Sequence, residues 1–182
     1  MQAAEPSPTR DAGAADYADY IGRVRREILS PTVRAGFEHW VGLLNGREFP
    51  KRREIDPTAI ARQLLHVSLI DVRQGQTPAF IARLTGEYVR KRQGIGAGTS
   101  IAGEVGADQA RDRVLARLTM CVERRRPIHG LYLYRPLDKP RNRIWVEAVA
   151  CPLSDDGKTI DCIVTFGADH DFTPPPDAKE WP

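Results

Sequence analysis

The chain has little of what covalent or metal chemistry needs. It holds three cysteines, Cys121, Cys151 and Cys162, and four histidines. No Cys-x-x-Cys pair occurs and metal-ligand spacing is absent, so neither a zinc module nor a disulfide scaffold is indicated. The cysteines read as small buried hydrophobes, with a redox-sensitive Cys151–Cys162 bridge as the alternative. No apolar run approaches the roughly 18–20 residues of a membrane span. Glu5, Arg10, Asp11 and Asp16 interrupt what would be the apolar core of a signal peptide, so a cytoplasmic location is expected. Neither sign of charge dominates: a net +3 does not by itself argue for nucleic acid. A nucleophile elbow, a His-Glu-x-x-His helix and paired carboxylates are also missing, so no catalysis is expected.

What is present can build a core. A 182-residue chain with 41% hydrophobic and 28% charged residues fits one domain with tails. Its strongest pattern is a closing hairpin, Ile144 to Phe166, in which two apolar runs flank Ser154-Asp155-Asp156-Gly157-Lys158. Asp-Gly favours a two-residue type I′ turn, because both central residues there need positive φ. That turn would pair Leu153 with Ile160, Cys151 with Cys162 and Val149 with Val164. Those residues and Phe166 then share one face, and Ile144, Val146, Ala148, Ala150, Asp161, Ile163 and Thr165 share the other. Both faces are largely apolar, so both are expected to be covered. Which one lines a pocket stays open, although the smaller residues suit close approach of a helix.

Along the chain, residues 1–14 have no apolar period and read as a disordered tail. Residues 15–30 form an amphipathic helix whose stripe is Tyr17, Ile21, Val24 and Ile28, a candidate dimer surface. Ser30-Pro31 is a cap-plus-proline signal for a second helix, with Phe37 and Trp40 on its packed face, ended by Asn45-Gly46. Asp56-Pro57 repeats the signal for a short helix with Ile60, Leu64 and Leu65 apolar. Strands are expected over His66–Val72 and Ala79–Leu84, then a glycine-rich middle with helical turns at Glu87–Gln93. A long helix follows at Asp108–Glu123, and Ile128–Arg135 is a third strand. Residues 31–172 make the domain and 173–182 a loose tail. Arg111, Arg113 and Arg117, with Arg124 to Arg126, read as a solvated helix face. The alternative is a nucleotide- or nucleic-acid-binding face. Arg83 and Glu147 sit as charges inside apolar strands, either ion-paired with each other or separately solvated.

This order of elements resembles a PAS domain, a five-stranded antiparallel sheet with helices inserted after the second strand. In detail the chain is similar to a short PAS-type family widespread in alphaproteobacteria, first catalogued as a domain of unknown function. The matching pieces are Phe37-Glu38-His39-Trp40, Arg47 to Pro57, His66 to Val72, Ala82 to Glu87 and the hairpin up to Leu153, within about residues 33–172. The resemblance implies an α+β PAS-like fold and a sensory or regulatory role in signal transduction. It implies a small ligand in a cup between sheet and helical middle, a homodimer, and a signalling protein as partner. Candidate ligand contacts are Arg83, Tyr88, Tyr132, Tyr134 and Trp145. No cofactor is assigned. No histidine lies between Thr85 and Val122 to hold a haem, and no cysteine precedes Cys121 to serve a flavin–thiol photosensor. Neither a membrane nor nucleic acid is an expected partner.

Overall fold

A computed structural model describes residues 8–75, 77–104, 108–139 and 141–179, with side chains from residue 15 onward except over 103–110. The first helix, α1 (Pro8–Glu27), is followed by α2 (Pro31–Leu44) and two single 3₁₀ turns at Arg52–Glu54 and Leu64–His66. Then come β1 (Val67–Arg73), β2 (Ala79–Thr85), α3 (Glu87–Gln93), α4 (Ile101–Glu104), α5 (Asp108–Arg124), β3 (Ile128–Tyr134), β4 (Ile144–Leu153) and β5 (Cys162–Ala168). The five strands form one antiparallel sheet in the order β2-β1-β5-β4-β3. Residues 1–7 of the expected tail lie outside the described residues. Pro8 to Ala14 are helical, so α1 begins earlier than its apolar stripe.

α2 forms where Ser30 caps it. Ser30 is extended, its Oγ accepts from Val33 N at 3.1 Å, and Pro31 occupies the first turn. Asp171 reinforces the cap, accepting from Ser30 Oγ and Thr32 N. Asn45 ends the helix in the left-handed region at φ 43°. The Asp56-Pro57 signal yields turns rather than a helix. Asp56 holds Thr58 N at 2.8 Å, Ile60 is buried, and Leu64 and Leu65 stay exposed.

The sheet is covered on both sides. One face presents Val149, Cys151, Leu153, Cys162, Val164 and Phe166 to α1 and α2, where Ile21, Val24, Ile28, Val33, Phe37 and Trp40 complete the core. Trp40 is fully buried and donates from Nε1 to Pro152 O at 3.0 Å. The other face, with Ile70, Ala150 and Ile163, packs against Val114, Leu118 and Cys121 of α5. The smaller residues of the closing hairpin thus meet the helical middle, and the bulkier ones meet the N-terminal helices.

Two expectations are corrected here. The stripe Tyr17, Ile21, Val24 and Ile28 is not a surface for a second copy. Ile21, Val24 and Ile28 are 6%, 2% and 0% exposed, and Tyr17 packs beside them with its hydroxyl on Glu48 O. A helix preceding the domain buries its apolar side wherever apolar area is nearest, and here that is its own sheet. The hairpin register is also different. Leu153 pairs with Cys162, Cys151 with Val164 and Val149 with Phe166. The connection is a longer loop, 154–161, held by Asp156, whose Oδ1 accepts from Lys158 N and Thr159 N at 2.7 Å each. Those bonds keep the Asp156 carboxyl well below its ordinary range. A shift of two residues keeps each strand residue on its face, but Ile160, now in the loop, joins the opposite core. Cys151 and Cys162 are therefore not opposed, and all three cysteines are free, buried thiols. Burial pushes the Cys162 thiol up to about 12.

Candidate functional site

The sheet, α3 and α5 enclose a cavity of about 40 Å³, enough for one or a few water-sized groups. Its floor comes from alternate residues of four strands: Ser68 and Ile70 on β1, Thr165 and Gly167 on β5, Val146 and Ala148 on β4, Tyr132 and Tyr134 on β3. Period-two alternation brings these small or aromatic side chains to one side. The roof is Tyr88, Val89, Arg92 and Gln93 of α3, then Ile95, and Val114 and Arg117 of α5.

Arg117 is the group that sets the chemistry. It is 4% exposed, and its Nε and Nη1 have no hydrogen-bond partner. Its guanidinium lies 5.2 Å from the centroid of the Tyr132 ring, a cation–π contact. Among the described residues no carboxylate pairs with it. Ser68 Oγ and Tyr88 OH, in the same wall, are also buried without partners. Buried polar groups are normally satisfied, and here three without a partner share one cavity wall. The second arginine is already engaged: Arg92 lies 3.2 Å from Asp138 and 3.5 Å from Asp169, and over the Tyr88 ring.

His66 stands at one rim, stacked on His170 at 5.0 Å and tilted against Tyr88 at 4.4 Å. Its Nδ1 lies 3.1 Å from Gly167 O, and a carbonyl only accepts, so Nδ1 carries the proton. Burial, then the neighbouring His170, lowers the His66 pKa below its ordinary 6.5. A lowered histidine pKa means the unfolded chain takes up the proton first as pH falls. Stability from this group is therefore full above about pH 6.5 and declines below it. Thermal unfolding between pH 5.5 and 8 is expected to show a falling midpoint on acidification, with a smaller slope in His66→Gln. An unchanged slope would assign the effect elsewhere.

Of the sequence candidates, Tyr88, Tyr132 and Tyr134 line this cavity together. Arg83 and Trp145 do not. Arg83 is exposed on the edge strand β2 and pairs with Asp71 at 3.3 Å. Trp145 lies opposite Leu133 on β4, one residue out of phase with Val146. Glu147 does not meet Arg83 and is not solvated. It is fully buried and accepts from Leu29 N at 2.8 Å and Ser30 N at 2.6 Å, with His129 Nε2 also at 2.8 Å. The arginine-rich helix face is largely occupied as well. Arg113 donates to Leu133 O, Arg125 pairs with Glu48, and Arg126 covers the Tyr20 ring. Arg117 itself, read from sequence as part of that face, is buried and lines the cavity. The missed signal was spacing: Arg117 falls between Val114 and Cys121 at helical intervals of three and four, on the side of α5 that meets the sheet.

Among the described residues, no cluster of His, Cys, Asp or Glu is arranged to hold a metal ion, and no helix is long and apolar enough to cross a membrane. No protein-family model matches the chain, and no curated protein matches it in sequence. Solved structures with a similar arrangement include a PAS domain from Colwellia psychrerythraea, at 10% identity and a TM-score of 0.44, covering 64% of this chain and 98% of that one. A sensory box sensor histidine kinase from Vibrio cholerae aligns at 16% identity and a TM-score of 0.40, covering 64% of this chain and 86% of its own. A sensory box histidine kinase/response regulator from Burkholderia thailandensis aligns at 17% identity and 0.34, with the same coverages. The strand order β2-β1-β5-β4-β3, with the helical middle after β2 and a cup between them, makes this chain an α+β protein of PAS-like fold.

Proposed function

We propose that the chain is a sensory or regulatory PAS-like domain that binds a small ligand in its cup and acts on a protein partner without catalysis. Within this reading it sits with the short PAS-type group of alphaproteobacteria, whose motifs its sequence resembles. One observation carries the ligand: a buried arginine with unpartnered N–H groups faces the cavity. An uncompensated buried charge costs several kcal/mol, and an occupant would remove that cost.

A route from cup to surface is built into β4. Val146 and Ala148 face the cavity, while Glu147 between them holds the elbow between α1 and α2 on the opposite face. A ligand that shifts β4 would shift the seat of both N-terminal helices. The signalling partner is then expected to read the α1–α2 side. A second copy of the chain would have to dock away from the α1 stripe, which the sheet occupies.

Native mass spectrometry of freshly purified protein tests the reading. A small molecule is expected to co-purify, to leave on unfolding, and to be missing from Arg117→Met. Hydrogen exchange on the loaded and stripped protein should differ at residues 28–34. A protein that carries nothing and gains stability from no compound in a broad panel would count against a sensory cup.

A further inference from the structure

Resting on the cup as a ligand site, we infer the class of its occupant: a small organic monocarboxylate, with its head at Arg117 and its body against the aromatic wall. The charge balance comes first. The cavity wall holds two arginines, and Arg92 already lies against two carboxylates, Asp138 and Asp169. Among the described residues Arg117 has no carboxylate partner, so a monoanion beside it would pair its charge locally.

The donors fit the same head group. Arg117 offers Nε–H and Nη1–H, and the hydroxyls of Tyr88 and Ser68 are buried and unpartnered. A carboxylate has about four lone-pair sites and can accept from all of these. A phosphate monoester brings nearly two charges at neutral pH, more than the single charge of Arg117.

The rest of the wall asks for carbon rather than water. Ile95, Val114, Tyr132, Tyr134 and Val146 are apolar or aromatic, and a cavity of about 40 Å³ admits only a short body. A bare inorganic anion would meet the donors but bring no carbon to those surfaces.

The test is isothermal titration of the full chain with acetate, propionate, butyrate and benzoate, each against its neutral amide, at constant ionic strength. Chloride and inorganic phosphate serve as controls. At least one carboxylate is expected to bind saturably, its amide at least tenfold more weakly, and Tyr88→Phe should lose part of the affinity. Arg117→Met should lose it all. If that variant does not fold, the Arg117 Nε–H resonance of the wild-type protein decides: the carboxylate must shift it and the amide must not. Equal binding of acid and amide would overturn the assigned class while leaving the cup as a ligand site. Equal binding of chloride or phosphate would reduce the site to a general anion hole and also overturn it. If the whole panel fails but another molecule co-purifies, the class alone falls. If nothing co-purifies either, the class and the sensory reading fall together.

Discussion

Glu147→Ala is expected to lower unfolding stability by about 3–5 kcal/mol, the range for removing one partner from a buried charged network. The side chain is fully buried and holds two backbone N–H groups, Leu29 N and Ser30 N, with His129 Nε2 against Oε1. Those backbone groups lie where the chain passes from α1 into α2, and helical hydrogen bonds cannot reach them. Truncation leaves them orphaned in a dry site, at about 1–3 kcal/mol each. Glu147→Gln keeps one carbonyl acceptor but aims an amide N–H₂ at a donor, so it should fall between wild type and Ala. Urea unfolding followed by circular dichroism measures all three. The control is Arg83→Ala. Its pair with Asp71 is exposed, and exposed pairs contribute about 0–1 kcal/mol. A Glu147→Ala loss no larger than that of Arg83→Ala would mean that water replaces the carboxyl, and the elbow would not be a rigid link to β4.

Both residues are charges inside apolar strands, and their different fates show what sequence pattern can and cannot decide. Alternation assigns each to a face but does not say whether that face is an edge open to water or a core with waiting donors. Glu147 belongs to the interior strand β4, and its donors come from a helix junction more than a hundred residues away in the chain. No local pattern encodes that meeting. The strand faces themselves were legible, because a period of two survives the two-residue register error at Asp156-Gly157. The turn was not, because Asp156 satisfies backbone N–H groups of a longer loop that a two-residue turn would not contain. For the cavity, alternation along β3 was enough to bring Tyr132 and Tyr134 to one wall. Arg117 was hidden by its type: an arginine beside other arginines on a helix reads as solvent-facing, although its spacing from Val114 and Cys121 already placed it inward. The amphipathic stripe of α1 was equally clear, and only the partner it covers was misjudged, since periodicity reports that a face is buried and not against what.

Gly36→Ala carries the other large effect, and a second glycine on the same helix supplies its opposite. On an exposed helix, Gly→Ala stabilises by about 0.8–1 kcal/mol through helix propensity. Gly42 is such a site: it is exposed on α2, and a Cβ there would meet nothing within 4 Å. Gly36 faces the sheet, and a Cβ there would lie 2.1 Å from Cδ1 of Phe166, 2.4 Å from Cγ and 2.6 Å from Cε1. Those atoms belong to a fully buried ring in a close-packed core, so the ring cannot turn away without displacing its neighbours. Overpacking of this kind costs about 1–3 kcal/mol, occasionally more. We place Gly36→Ala at the upper end, about 3 kcal/mol destabilised even after the propensity gain, because three ring atoms clash at once. Gly42→Ala should be stabilised by about 0.8–1 kcal/mol. Thermal and urea unfolding of the two variants should therefore move in opposite directions. Adding Phe166→Leu to Gly36→Ala should cost less than that substitution costs alone, since the methyl then fills space the ring has vacated. If Gly36→Ala instead behaves like Gly42→Ala, α2 does not seat on Phe166 at this distance, and the cover over the outer face of the sheet is looser than the packing of Phe37 and Trp40 requires.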